Sequence, residues 1–297
     1  MANSIALATK FLPILDELYQ KESVTAFMDA QTEPAVGFEN ANVVKVYKIS
    51  TVGLGTYSRA TGYPIGDVTG EWETMTLAVD RAREMSIDRM DNEETFGMAF
   101  GKLAALFTKE KVVPEVDAYR FAKYAGWSGI LTTAEAVLTS GTVLAAVDAA
   151  MAAMDDQNVP QEGRYLFASY TVKRFIEQAV SRQLANQSTF DKRLRSLDGV
   201  PIIGVPQNRF YTQITLDAGA TTTAGGYTKT ATTGRDINFM AVYPPAVIQA
   251  TKLANLKVFD PDENQTKDAW KIQYRMYHDA FVYENKVSGI YLHKKTS

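Results

Sequence analysis

Four carboxylates crowd into one short stretch, Asp88, Asp91, Glu93 and Glu94, and paired carboxylates are what general acid and base catalysis requires. Their placement argues for a plainer role. They stand where an extended segment gives way to a helical one, Asp91 followed by Glu94 fits a capping box, and acidic side chains favour a helix N-terminus. Capping is preferred. The remaining option is that these acids meet Arg81, Arg83 or Arg89, or the basic set Lys192, Arg193 and Arg195, across a subunit interface and fix its register. Gly53-Leu54-Gly55 has the glycines of a phosphate loop but neither the strand–loop–helix context nor a following Gly-Lys-Ser/Thr. Gly126-Trp127-Ser128-Gly129 misses the nucleophile-elbow spacing by one residue, and neither His278 nor His293 has an obvious serine partner. The two histidines could share a metal, yet without cysteine or an ordered carboxylate they read as strand residues. Asp260, Asp262 and Glu263 look like a fragment of a calcium loop that lacks its glycine and distal glutamate, and a turn accounts for them. No catalytic, cofactor-binding or metal-ligating residue is assigned. The alternative from another class is a soluble acid/base or metal-dependent enzyme built on the carboxylates near residue 90.

Composition narrows the field further. The 297 residues carry a formal charge of −3, no cysteine and two histidines. That removes disulfides, thiolate nucleophiles and zinc-thiolate sites, and it lacks the basic footprint of a nucleic-acid reader. A weakly acidic wall around nucleic acid remains physically sensible, because it would not trap the polymer against itself. No run approaches the roughly 18 apolar residues of a membrane span, and Met1-Ala2-Asn3-Ser4-Ile5 lacks the basic region of a secretory signal. No membrane partner is expected.

The elements that must position these residues begin with an arm. Val43 to Ile49 predicts an outgoing strand and Trp72 to Asp88 a return strand, in which Met75, Leu77 and Val79 alternate with Thr74, Thr76 and Ala78 and Met85 and Ile87 resume the pattern. Between them Gly53, Gly55, Gly62, Gly66, Gly70 and Pro64 punctuate a tip. A long hairpin of polar and small residues cannot bury enough of itself to be stable alone, so it is expected to reach another subunit. Ile5, Ala8, Phe11, Leu15 and Leu18 predict an N-terminal helix interrupted at Pro13. Phe96, Phe100, Leu103 and Phe107, then Val116, Tyr119 and Ala122 after Pro114, predict a long helix ending at Gly126. A second helix is expected from Ala134 to Met154, opened by Thr132 and Glu135, with Val137, Leu144, Val147, Met151 and Met154 on its buried side. Tyr165 to Ala168 predicts a strand, Ser169 the cap of the next helix, and Asp198-Gly199 a turn into the strand Val200 to Val205. Residues 218 to 234 are a low-complexity tract expected to be an exposed loop. Ile237 to Tyr243 predicts a buried strand stopped by Pro244-Pro245, Ala246 to Lys252 a helix, and Trp270 to Val282 and Gly289 to His293 the last strands.

Two segments carry a family likeness: Ile237 to Ile248 (INFMAVYPPAVI) with Val258 to His293 (VFDPDENQTKDAWKIQYRMYHDAFVYENKVSGIYLH), and Thr76 to Thr95 (TLAVDRAREMSIDRMDNEET). They resemble the major capsid proteins of tailed bacteriophages infecting Gram-positive hosts. The resemblance implies the Hong Kong 97-type capsid fold, an α+β fold with an N-terminal arm (1–42), an extended E-loop β-hairpin (43–90), a peripheral domain with a spine helix (91–132 and 237–297) and an inserted axial α/β domain (133–236). It also implies a non-enzymatic structural protein that self-assembles into pentamers and hexamers. These form the icosahedral head of the virion around double-stranded DNA, without sequence-specific binding and without cofactors. Assembly in the host bacterial cytoplasm with portal and decoration proteins belongs to the same implication. Because the arm begins at Met1, a separate scaffolding protein is expected rather than a cleaved scaffolding segment. Some members weld neighbours through an E-loop lysine, but no lysine lies between Ile49 and Gly101, only Arg59 near the tip. Arg59, Tyr63, Arg81, Arg83, Asp88, Arg89, Asp91, Glu93 and Glu94 are the expected inter-subunit contacts. An encapsulin-like nanocompartment shell, which shares the fold, is the alternative within shells.

Overall fold

The computed structural model describes residues 22–31, 37–39, 43–94, 103, 105–183, 194–219 and 224–296. Strands β1 (Gly37–Glu39), β2 (Val43–Thr51) and β3 (Val68–Thr76) form an antiparallel sheet. Strand β4 (Val79–Asp88) leads into helix α1 (Arg89–Glu94), and a π turn over Thr108–Val112 enters α2 (Val113–Ala125). Next come β5 (Leu131–Thr132), α3 (Val143–Asp156), β6 (Tyr165–Ser169), α4 (Tyr170–Gln183), β7 (Ser196–Leu197) and β8 (Val200–Val205). The hairpin of β9 (Ile214–Asp217) and β10 (Gly226–Lys229) precedes β11 (Ile237–Val242), β12 (Val247–Phe259), β13 (Ala269–Val282) and β14 (Ile290–Lys294).

The main core forms around a mixed six-stranded sheet in the order β5-β14-β11-β6-β8-β7. Strand β11 is apolar almost throughout and buried along its whole length, because the sheet is clothed on both faces. Phe239 and Ala241 point to the face covered by α3 and α4, where Val147, Met154, Val172 and Ile176 meet them. Met240 and Val242 point to the other face, against Phe121 and Tyr124 of α2 and Val24 and Met28 of the segment 22–31. A bulge between Ile237 and Phe239 turns Ile237 to that second side as well. Each large side chain so buried contributes roughly 1.5–3 kcal/mol. Helix α4 begins where the sequence predicts, with the Val172 amide donating to Ser169 Oγ at 3.3 Å. Asp198 (φ 49) and Gly199 (φ 80) make the tight β7–β8 turn, a conformation that glycine adopts without a Cβ clash.

A second sheet, β12-β13-β4, is antiparallel throughout, and it overturns two expectations. The predicted helix from Ala246 to Lys252 is the start of β12, whose pairing with β13 from Val247↔Val282 to Phe259↔Lys271 outweighs the helix-start signal of Pro244-Pro245. The single return strand predicted from Trp72 to Asp88 is two strands. Residues 68–76 pair with β2, whereas 79–88 pair with β13. Three smaller corrections follow, the first two from strand pairing. Helix α3 starts at Val143 rather than near Ala134 because residues 133–136 run beside β14, with Thr133 and Ala136 amides donating to the Leu292 and Lys294 carbonyls; Val137 is accordingly exposed. The low-complexity tract is not all loop, since Gly226 to Lys229 ladder with Ile214 to Asp217. The cap of α1 is Asp88, whose Oδ1 accepts from the Met90 amide at 3.0 Å, rather than Asp91 with Glu94. The predicted helix over residues 4 to 20 and the positions Phe96 and Phe100 lie outside the described residues.

Candidate functional site

The strands β2 and β3 pair in unbroken register from Val43↔Thr76 to Thr51↔Val68, and only their base is packed. Val44, Met75 and Leu77 bury against Ile248, Ala250, Phe281 and Tyr283. Farther out the hairpin leaves the body. At the tip Ser58 and Gly62 exchange backbone hydrogen bonds of 3.2 and 2.8 Å, with Gly62 at φ 81, so Arg59, Ala60 and Thr61 form a small ordered turn. Nine of the fourteen large apolar side chains that stand exposed among the described residues lie between Tyr47 and Trp72, with Leu54, Ile65 and Tyr63 the most open. Such a concentration on one projection marks an interaction surface. Tyr47 and Trp72, directly opposite across the strands, sit with ring centroids 5.0 Å apart and stiffen the arm.

The pivot where β3 gives way to β4 is held by a buried carboxylate. Asp279 Oδ2 accepts from the Ala78 amide at 3.0 Å, while its Oδ1 accepts from Tyr119 Oη at 2.7 Å and from the Ala280 amide at 2.8 Å. Tyr277 Oη donates to the Leu77 carbonyl at 2.9 Å, and Lys48 bridges Glu71 and Glu284 at 2.9 and 2.6 Å. One side of α2 thus steers the arm, and the opposite side fastens the segment 22–31. Asp117, fully buried, accepts from Ser23 Oγ (2.7 Å), the Val24 amide (3.1 Å), Thr25 Oγ1 (2.6 Å) and the buried Arg209 guanidinium (3.1 Å). Arg120 adds Thr25 Oγ1 at 3.0 Å and Asp29 at 2.9 Å. The sequence reading placed Val116, Tyr119 and Ala122 on the buried face of this helix and missed Asp117 and Arg120. Spacing alone assigns charged residues to the solvent side.

The predicted site residues scatter. Arg59 and Tyr63 are exposed at the arm tip. Arg81 turns inward to Glu115 (2.6 Å) and the carbonyls of Asp217 and Gly226 (2.7 and 3.2 Å). Arg83 lies 3.5 Å from the Gly219 carbonyl. Arg89 sits 3.4 Å from both Asp262 and Asp268. Asp88 caps α1 and Asp91 lies in its first turn, whereas the side chains of Glu93 and Glu94 lie outside what is described. His278 and His293 belong to different sheets. The Glu263 amide donates to the Asp260 carbonyl at 3.0 Å, closing a turn before β13. Among the described residues no group of three or more acids and histidines is placed to hold a metal ion.

His278 gives a pH dependence. It is buried beside Tyr119, and its Nδ1 makes no hydrogen bond. Burial first, then the Arg120 and Arg81 charges, push its pKa down to about 4 against the opposing pull of Asp279. The folded protein keeps this ring neutral while the unfolded chain takes up a proton near pH 6.5. Its contribution is therefore complete above about pH 6.5 and lost as pH falls towards 4, a change on the order of 3 kcal/mol. Denaturant unfolding at several pH values should show His278→Gln losing less stability than the parent over that window. Equal slopes would refute the assignment.

No family model matches the chain, and comparison with curated proteins finds no match. Solved structures do match. The asymmetric unit of the bacteriophage PhiM1 mature capsid aligns with a TM-score of 0.69 at 13% identity, over 99% of this chain and 93% of that one. The capsid structure of cyanophage P-SCSP1u aligns at 0.66 and 13% identity, over 98% and 93%. A structure from Mycobacterium phage Che8 aligns at 0.64 and 13% identity, over 96% and 98%. The chain has a phage-capsid fold. In that capsid fold the likeness covers both the six-stranded sheet and the projecting arm, since 96% and 99% of this chain are aligned. No described helix is long and apolar enough to cross a membrane.

Proposed function

We propose that the protein is a major capsid protein whose copies form pentamers and hexamers that close into an icosahedral head around double-stranded DNA. The observation that carries this reading is the end-to-end likeness to phage capsid structures, and the uncovered apolar arm supports it physically. An arm that cannot bury its own side chains gains by lying on a neighbour, and a lattice of many such modest contacts is stable through multivalency. Residues 1–42 act as the N-terminal arm. The E-loop is the β2–β3 hairpin up to the pivot at Ala78, and β4 joins α2, β12 and β13 in the peripheral domain, with residues 133–236 as the axial domain. Arg59 and Tyr63 make contacts at the tip, and Asp91, Glu93 and Glu94 are further inter-subunit contacts. A separate scaffolding protein, a portal and decoration proteins are the partners, with assembly in the host cytoplasm. Negative-stain microscopy and size-exclusion chromatography test the reading: megadalton closed particles are expected, and a stable monomer with no assembly under any condition would overturn it.

The chemistry of the arm adds a prediction. With no lysine between Ile49 and Gly101, the tip of the hairpin and its return strand cannot supply the amine of an isopeptide bond, so mature particles should run as single-chain bands on a denaturing gel. A ladder that resists reductant and heat would contradict it.

A further inference from the structure

We infer that Lys48 is an electrostatic latch between the arm and the body, which fixes the direction of the arm while closed and lets it swing when salt opens it. The inference concerns a single copy and stands apart from the shell reading. Directly opposite residues of β2 and β3 share a face, so Val44 with Met75, Val46 with Glu73 and Lys48 with Glu71 form one column turned towards the body. The column begins apolar, with Val44 and Met75 buried and Val46 packed beside them, and it ends charged. Lys48 and Glu73 are its last half-buried positions, and every residue of the two strands beyond them is exposed. Lys48 therefore marks where the arm parts from the body, roughly 17 Å from the start of β2 at the rise of an extended strand.

Its two partners belong to different parts of the fold. Glu71, 2.9 Å away, lies across the hairpin and moves with the arm, whereas Glu284, 2.6 Å away, opens the 3-10 turn Glu284–Gly289 that follows β13. That turn is rooted in the body, since the preceding Tyr283 is buried and its amide donates to the Ala246 carbonyl at 3.0 Å. Hydrogen bonds to Glu284 and then to Glu71 push the Lys48 pKa above the usual lysine range, so the ammonium stays charged. Glu73 stands against the same Glu284, and three carboxylates thus share one cation. Without that cation they repel one another across the gap between arm and body. Salt can open the latch: the Lys48 side chain is 19% exposed, but those of Glu71 and Glu284 are 70% and 63% exposed, so ions reach the pair and screen it. The hinge beneath it, where the buried Asp279 holds the Ala78 amide, is shielded, so salt loosens the latch before the hinge.

The absence of native cysteine makes the test clean. Spin labels on Ala60→Cys at the exposed tip and on Asp156→Cys at the exposed end of α3 report the direction of the arm, with labelled chain diluted into unlabelled chain so that only distances within one copy are read. One narrow distance is expected at low salt. Salt of about 1 M, where the screening length falls to about 3 Å, should broaden it by several ångströms, and Glu284→Gln should do the same at low salt. Glu71→Gln should keep the distance narrow, because it removes only the partner that moves with the arm. The exchanged pair, Lys48→Glu with Glu284→Lys, should restore what Glu284→Gln loses. A parent distance insensitive to salt, or equal broadening by Glu71→Gln and Glu284→Gln, would overturn the latch and leave Lys48 as a cross-strand stiffener of the hairpin.

Discussion

Replacing residues 52–67 with a two-residue Asn-Gly turn should leave a folded, soluble subunit and abolish closed particles. The join is sterically open, because Thr51 and Val68 are directly opposite in the ladder and a two-residue turn of this type matches the twist of antiparallel strands. The removed residues touch none of the three buried clusters, so subunit stability should change by no more than about 0.5 kcal/mol, the range for surface substitutions away from packed features. Assembly should suffer far more. Each subunit would lose Leu54, Tyr63 and Ile65 from its contact with a neighbour, and a shell multiplies that loss over every copy. Thermal melting together with light scattering separates the two effects. A variant that melts normally and still closes particles would end the case for the arm as an assembly device.

How far the sequence revealed this arrangement depends on the range of the interactions that decide each element. The glycine-punctuated tip, the buried run Ile237 to Val242 and the cap at Ser169 were legible, since turn chemistry, continuous apolarity and capping act within a few residues. Strand β12 was not. Gln249, Ala250, Thr251 and Lys252 after a proline pair resemble a helix start, and the partner that makes them a strand lies beyond the next turn. The pivot at Ala78 was hidden because Met75, Leu77 and Val79 keep pointing inward across it while the pairing partner changes from β2 to β13. The likeness carried by Thr76 to Thr95, Ile237 to Ile248 and Val258 to His293 led to a phage-capsid fold through segments that supply β4, β11, β13 and most of β14. What no local pattern could show was the pair of buried acids, Asp117 and Asp279. A carboxylate reads as surface until its donors are seen, and theirs come from remote parts of the chain.

Asp117 should accordingly be the most sensitive single position in the subunit. Replacing it with Asn removes the negative charge that compensates Arg209, and both side chains have no solvent exposure. Breaking a buried pair from one side costs about 3–5 kcal/mol, because the remaining charge stays desolvated. That is a large share of the roughly 5–15 kcal/mol that holds a native domain. The double variant Asp117→Leu with Arg209→Met probes the cause. A purely ionic role predicts recovery, since buried pairs exchanged for apolar residues of similar volume are often neutral or stabilising. Asp117 also accepts from Ser23, the Val24 amide and Thr25, and no apolar residue can serve those donors, so recovery should be partial and accompanied by release of the segment 22–31. Denaturant unfolding measures the first outcome and limited proteolysis near Glu22 the second. Full recovery with that segment still protected would show that Asp117 acts only as the counter-charge of Arg209 and that Val24 and Met28 in the core suffice to dock it.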